Sequence, residues 1–183
     1  MYNALGSKVV LSDFSNPLAV EYNEYIKDLI NLDDVKKLDS YVQHAQTSRL
    51  QHSVNVSYYS YLICKRLHLN SRSAARAGLL HDLFLYDWHT EKQPEGLHAY
   101  AHPKVALRNA KKIADLNSIE EDAIVNHMFP VTITFPRYFE SYVVSMVDKC
   151  CAVLEVCGQF SGKSKRAKKE IGRLQPVKVQ NSK

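Results

Sequence analysis

The chain has 183 residues, of which 45% are hydrophobic and 23% charged, the composition of a globular domain with a core of its own. No segment approaches the ~20 consecutive apolar residues that a membrane-spanning helix needs, and the first residues lack the pattern of a secretory signal. Because the four cysteines have no CxxC spacing and fall within apolar helical patterns, we expect buried thiols in a cytoplasmic protein, without a zinc ribbon or a disulfide framework.

The net charge of +5 belongs to the C-terminal end. Residues 161–183 hold eight Lys and Arg and one acidic residue, a charge of +7, so the remaining residues sum to −2. This distribution does not favour a general nucleic-acid-binding surface on the domain. We expect the basic tail, residues 158–183, to be a charged helix or a disordered solubilising end. Contact of this tail with nucleic acid or an anionic surface is the alternative.

The hydrophobic pattern predicts helices along almost the whole chain. A helix over 17–31 opens with a proline, and a second is capped by Asp33 or Asp34. We expect residues 1–46 to form a helical addition packed on the main domain. The piece Val-Thr-Ile-Thr at 131–134 lies in a predicted extended loop, and no other segment alternates as a strand does. The prediction is therefore an all-α, single-domain helical bundle.

The main domain, residues 47–157, is predicted to contain five further helices. The first of them starts at Thr47 or Ser48, and the second starts at Ser71 or Ser73. The other three cover about 101–116, 119–128 and 138–157. Ser118 followed by Glu121 is a capping-box pattern for the helix over 119–128. Residues 85–101, rich in Tyr, Trp, His, Pro and Gly, are predicted to form a loop.

Each of these five helices carries a residue type that binds metal ions. The candidates are His52, His81, Asp82, His102, His127 and Asp148. With the adjacent His81 and Asp82 counted as one position at 81, successive positions are 21 to 29 residues apart, which is enough for one helix and one turn. A bundle could therefore bring all six to one point in its core. A single buried histidine is more often structural, and the prediction therefore depends on the whole set.

His98 is a rival for one ligand position. It lies four residues before His102 and would share a helix face with it. We prefer His102 because Pro103 follows it directly, which favours a helix start at that point.

The order and spacing of the six residues resemble the HD superfamily of metal-dependent phosphohydrolases, and within it the branch with two additional histidines that binds two metals. The resemblance covers residues 47–157. The layout is similar to that of the symmetrical diadenosine tetraphosphate hydrolases. It differs from the cyclic-diguanylate phosphodiesterases because Asn126 and Met128 flank His127, where that branch has a His-His pair. His102-Pro103 does look like the third-ligand motif of that branch.

The resemblance implies two divalent ions that share one carboxylate. The first ion's ligands would be His52, His81, Asp82 and Asp148, and the second ion's would be Asp82, His102 and His127. Fe, Mn, Co, Ni and Zn all suit such mixed ligands. The implied reaction is hydrolysis of a phosphoester or phosphoanhydride of a nucleotide-like small molecule, with a hydroxide that bridges the two metals as the nucleophile.

A phosphate substrate also needs fixed cations, and several basic residues are sequence neighbours of the proposed ligands. We predict catalytic roles, beside that of Asp82, for Lys104, Arg137 and Lys149, and substrate binding by Arg49, Arg108 and Trp88. Each cation is alternatively a solvated surface charge. Trp88 would stack on a base, or would only anchor its loop against the core.

Two other functions remain open. Myo-inositol oxygenase and related mixed-valent di-iron oxygenases use a similar six-ligand site, and the ligand set does not separate the two chemistries, although the nearby cations favour a phosphate. A nucleotide-sensing binding module, with the basic tail as a second contact, is the other alternative.

Overall fold

The computed structural model describes residues 3–44, 47–88, 90 and 96–158. Within these residues there are seven α-helices, one turn of 3-10 helix and a two-stranded sheet, so the fold is all-α in class, as predicted. The elements are α1 (Pro17–Ile26), α2 (Asp33–Lys37), the 3-10 turn (Leu38–Ser40), β1 (Val42–His44), β2 (Thr47–Ser48), α3 (Arg49–Arg66), α4 (Ser71–Leu80), α5 (His98–Ile113), α6 (Ser118–Asn126) and α7 (Phe139–Val156).

Helices α3 and α4 form a closely packed central pair. A Cβ atom built on Gly78 would lie 2.7 Å from the Cα of Ser57, so only glycine fits where the two backbones meet. The Ser57 hydroxyl donates to the carbonyl of Ala75 at 2.6 Å. This contact fixes the end of α4, and with it His81 and Asp82, against the first half of α3.

The other helices surround this pair and build one core. Helix α7 packs against α3, α4 and α6, and α5 packs against α6. The N-terminal residues join the same core, because Leu11, Tyr22 and Leu29 are buried in one cluster with Leu50 and Leu79. The division into 1–46 and 47–157 remains a prediction, and nearly all of the basic tail lies outside the described residues.

The element ends differ from the predicted ones in several places. Helix α1 ends earlier than predicted, at Ile26, and α5 begins earlier, at His98. The capping box of α6 lies one residue before the predicted one, since Asn117 and Glu120 each accept a hydrogen bond from the other's backbone N–H. The antiparallel pair β1–β2 is absent from the prediction because strands of three and two residues are too short to show an alternating pattern.

Among the described residues, no helix is both long and apolar enough to cross a membrane. The four cysteines are free thiols. Cys64 and Cys151 are buried, as predicted, but the prediction was wrong for Cys150 and Cys157, which are exposed.

Candidate metal centre

The six predicted ligands come from five helices and converge inside the bundle. His52 lies in the first turn of α3, His81 and Asp82 directly follow α4, His102 lies in α5, His127 directly follows α6, and Asp148 lies in α7. All six are buried, and none has more than 8% of its surface exposed. Ionisable groups this deeply buried require close partners of opposite charge or hydrogen-bonding partners.

One half of the cluster contains His52, His81 and Asp148. The Nε2 atom of His52 lies 3.0 Å from Asp148 Oδ1, and the Nε2 atom of His81 lies 3.6 Å from the same oxygen. The three residues offer ligand atoms that all lie within 4.8 Å of one another, which is close enough to share one ion.

The other half contains His102, His127 and Asp82. The two histidine Nε2 atoms are 2.9 Å apart, and Asp82 Oδ1 lies 3.4 Å from that of His102 and 3.6 Å from that of His127. The second oxygen, Asp82 Oδ2, lies 3.5 Å from His81 Nε2 in the first half. The carboxylate of Asp82 therefore faces both halves, which is the position of a bridging ligand.

The four histidine rings are all oriented through Nδ1. His81 contacts the carbonyl of Gly78, His102 that of His98, and His127 that of Ile124. His52 contacts the carboxylate of Glu155, and all four distances are 2.7 to 3.0 Å. Because these oxygens accept hydrogen bonds, Nδ1 is the donor in each ring. With a metal ion bound, a neutral ring would present the lone pair of Nε2 to the ion, as metal-bound histidines do. Without an ion, the raised pKa of His52 means that its Nε2 donates to Asp148.

The atoms at the centre fit divalent cations. His102 and His127 present two nitrogen lone pairs to each other, with no proton between them to share. Within the described part of the chain, Asp82 Oδ1 and His81 Nε2 are buried without a hydrogen-bond partner. Acceptors left unpaired in a protein interior are costly, and a cation satisfies them. Imidazole and carboxylate donors suit Fe, Mn, Co, Ni or Zn.

The two halves differ in their electrostatics. Burial lowers the pKa of His52, but its hydrogen bonds with Asp148 and Glu155 outweigh this effect and raise the pKa to about 10. Burial, reinforced by the neighbouring histidine rings, lowers the pKa of His127 to about 3, and burial also lowers the pKa of His102. The imidazoles of His102 and His127 are therefore neutral at pH 7, the form that binds a metal ion.

Arg49 lies behind the centre, in contact with the residues that support Asp82. Its Nε donates to Gln43 Oε1 at 2.8 Å, and Gln43 Nε2 in turn donates to Asp82 Oδ2 at 2.5 Å. Arg49 also donates to the carbonyl of Phe84 at 2.6 Å and is fully buried. Its guanidinium faces the protein interior. This is not the position expected of a substrate-binding residue, which is the role predicted for Arg49.

Lys149 is the proposed cation that contacts a proposed ligand directly. Its Nζ donates to Asp148 Oδ2 at 3.1 Å and to the carbonyl of His127. It therefore links α7 to the end of α6 and places a positive charge at the edge of the cluster.

Lys104 and Arg137 lie away from the cluster of proposed ligands. Both line a cleft of about 530 Å³ between α5, α6 and the segment before α7, and its walls include Tyr100, Phe135 and Tyr138. Since Lys104 follows His102 by two residues, it lies about 200° further around α5, away from the ligands. Arg108 is exposed on α5 and is not one of the residues that line the cleft.

Trp88 stacks on His98, and His98 in turn stacks on the ring of the proposed ligand His102. The rings of Trp88 and His98 are 5.1 Å apart at an angle of 11°, and those of His98 and His102 are 4.4 Å apart at 18°. His98, the rival ligand, thus supports His102 with its ring and its carbonyl. The structure brings His102 to the centre, but the reason for preferring it was wrong, because α5 begins at His98 and Pro103 lies inside the helix. Trp88 stacks on His98, which agrees with an anchoring role, and its stacking on a base stays a prediction.

Two residues at the centre, Gln43 and Glu155, were not predicted from the sequence. Glu155 lies seven residues after Asp148, hence on the same face of α7, and an acidic residue there is a signal that the sequence does contain. Gln43 lies on the short strand β1, and nothing in its local sequence marks it.

A family model described as HD domain matches residues 49–169, about two thirds of the chain. The match includes the six residues of the cluster and helices α3 to α7. No curated protein and no solved structure matches the chain. The matched region and the buried histidine–aspartate cluster lead to the same conclusion: the chain belongs to the HD domain family, a superfamily of metal-dependent hydrolases.

Proposed function

We propose that this protein is a metal-dependent phosphohydrolase that cleaves a phosphoester or phosphoanhydride bond of a small, nucleotide-like molecule. The observation that carries the proposal is the convergence of four imidazole Nε2 atoms and two carboxylates in one buried cluster. Asp82, which faces both halves, makes two ions with one shared ligand the arrangement that this geometry favours.

The roles of the ligands follow from the two halves. We propose that one ion is held by His52, His81, Asp82 and Asp148, and the other by Asp82, His102 and His127. Divalent ions bound there would polarise phosphoryl oxygens and make water a stronger nucleophile at neutral pH. The protein's own contribution is orientation, because the Nδ1 contacts fix the four rings and Gln43 fixes Asp82.

The cations divide into two groups by position. We propose that Lys149, at the edge of the cluster, stabilises negative charge on the reacting phosphoryl group. Lys104 and Arg137 bind a more distant part of an anionic substrate in the cleft beside α5 and α6, where aromatic side chains suit a base. Arg108 adds to the positive potential nearby, and Trp88 remains a candidate for stacking on a base.

We also propose that the protein works in the cytoplasm. Its free thiols support this assignment, since the exposed Cys150 and Cys157 are compatible with a reducing compartment.

A phosphate-release screen tests the proposed function. Purified protein is incubated in turn with Mn²⁺, Co²⁺, Fe²⁺, Ni²⁺ or Zn²⁺ and with nucleoside phosphates or dinucleoside polyphosphates. We expect phosphate release with at least one pair, and loss of that release in Asp82→Ala. A parallel incubation with Fe²⁺, dioxygen and polyols tests the oxygenase alternative. Substrate-dependent oxygen consumption without phosphate release in any incubation would contradict the proposal.

A further inference from the structure

A chain of hydrogen bonds runs from the N-terminal addition to a ligand of the metal centre. The backbone N–H of Leu5 donates to Asn55 Oδ1 at 3.0 Å, and Asn55 Nδ2 donates to Glu155 Oε1 at 2.9 Å. The other carboxylate oxygen, Glu155 Oε2, lies 3.0 Å from His52 Nδ1. We infer that Asn55 and Glu155 are positioning residues for the ligand His52, and that the N-terminal addition holds them in place.

The partners of Asn55 determine how its amide is oriented. Its Oδ1 accepts from the N–H of Leu5 and also from Gln51 Nε2 at 3.0 Å. Both of these groups only donate, so the atom that faces them is the amide oxygen. The amide nitrogen is then the atom that faces Glu155. Gln51 is held in turn by the carbonyl of Asn3 at 2.9 Å.

Glu155, held by Asn55, in turn orients the ring of His52. Since one of its oxygens accepts from Asn55, the other is directed at Nδ1 of the ring, which leaves Nε2 directed at Asp148. Glu155 has 1% of its surface exposed, and His52 and Asn55 have none. Water therefore does not compete for these groups, and the three contacts act in a dry interior where hydrogen bonds are strong.

The orientation of the His52 ring depends on tertiary packing more than the orientations of the other three histidine rings do. Those rings donate to backbone carbonyls three or four residues earlier in their own segments. The acceptor of His52 is a side chain 103 residues away in sequence, on α7. Its orientation is set only when α3, α7 and the N-terminal residues have packed together.

The N-terminal part of this chain lies outside the family match. The match begins at residue 49, whereas Asn3 and Leu5 belong to the addition that packs on the matched region. The addition therefore does more than bury apolar surface, because it supplies the Leu5 N–H that donates to Asn55 and the Asn3 carbonyl that accepts from Gln51.

Cobalt binding to the full-length chain tests this inference. The inference depends on the metal centre of the proposed function and is independent of the substrate. The affinity for Co²⁺ is measured by competition with a chelating dye, and the visible absorption of bound Co²⁺ reports the ligand geometry. Glu155→Gln replaces an acceptor by an amide, and Asn55→Asp places two carboxylates against each other. We expect either change to weaken one Co²⁺ position by about 10- to 100-fold and to alter the absorption spectrum.

The double variant Asn55→Asp/Glu155→Gln separates positioning from a general loss of stability. The exchange again places an N–H donor opposite a carboxylate, and it keeps an acceptor for His52 Nδ1. We expect it to regain most of the lost affinity and a spectrum close to that of the wild type. The matched control is Glu140→Gln, which changes a buried glutamate of α7 that accepts from Asn70 and is expected to leave both readouts unchanged.

The contribution of the N-terminal addition is tested at Leu5. Leu5→Pro removes the donor, whereas Leu5→Ala keeps it and removes only the buried side chain. We expect the proline variant alone to change the Co²⁺ spectrum, while both lower the melting temperature in EDTA. If the Glu155→Gln chain fails to fold, the double variant and Leu5→Pro decide the question.

Two results would overturn the inference in distinguishable ways. Wild-type binding of Co²⁺ together with unchanged affinity and spectrum in Glu155→Gln and Asn55→Asp would refute the positioning role alone. A wild-type chain that binds no Co²⁺ would refute both this role and the metal centre of the proposed function.

Discussion

The Nε2 atoms of His102 and His127 lie 2.9 Å apart, and both rings use Nδ1 to donate to a backbone carbonyl. Two lone pairs in this position are stabilised by a shared cation. We therefore expect His102→Ala and His127→Ala each to lose one of two bound ions and to retain the other. Metal analysis after dialysis checks this, with the exposed His68→Ala as control. A wild-type chain that holds a single ion would refute the two-metal assignment.

Lys149 and the pair Lys104 and Arg137 should have separable kinetic effects. Because Lys149 lies at the ligand cluster, Lys149→Ala should lower kcat, by about 100-fold if it acts on charge that develops in the transition state. Lys104→Ala and Arg137→Ala should mainly raise KM, since these residues line the neighbouring cleft. Lys36→Ala, which changes an exposed lysine of α2, is the control. An equal loss of kcat in all four variants would contradict the division.

Arg49 should prove to be a support of the site. Arg49→Lys keeps the charge but cannot reach Gln43 and the carbonyl of Phe84 in one plane. We expect a loss of about 2 kcal/mol or more in unfolding free energy, because buried acceptors lose their donor. Urea unfolding measures this loss. A rise in KM at unchanged stability would instead restore the substrate-binding role predicted from the sequence.

Gly78 should tolerate no side chain. In Gly78→Ala the new methyl group would meet the backbone of Ser57, so α3 and α4 must separate slightly. We expect a loss of about 1 to 3 kcal/mol in unfolding free energy and weaker metal binding, because His81 and Asp82 follow α4 directly. Urea unfolding and dye competition check the two effects. Unchanged stability would mean that the two helices are not packed as closely as the structure shows.

The helices and the clustering of the six proposed ligands could be predicted because the apolar periodicity and the residue types are local signals. The apolar periodicity predicted helices where α3 and α7 lie. The ligand prediction relied on residue type and spacing, and the five helices do bring those six side chains together.

The supporting residues were not predictable in the same way. Gln43 lies on a strand of three residues that has no marked pattern. Arg49 was predicted to bind substrate, because the sequence does not show that Gln43 and the carbonyls of Phe84 and Tyr86 surround its guanidinium. Lys104 is a sequence neighbour of His102, yet the turn of α5 carries it to another face. Proximity in sequence to a proposed ligand thus placed Lys149 at the cluster but did not place Lys104 there.

The central claim, that Asp82 is shared by two ions, is tested most directly by the metal content and phosphate release of Asp82→Ala. Because its two oxygens face different halves of the cluster, we expect the variant to lose both ions and all hydrolysis while it stays folded. A folded Asp82→Ala chain that keeps two ions and full activity would contradict the account.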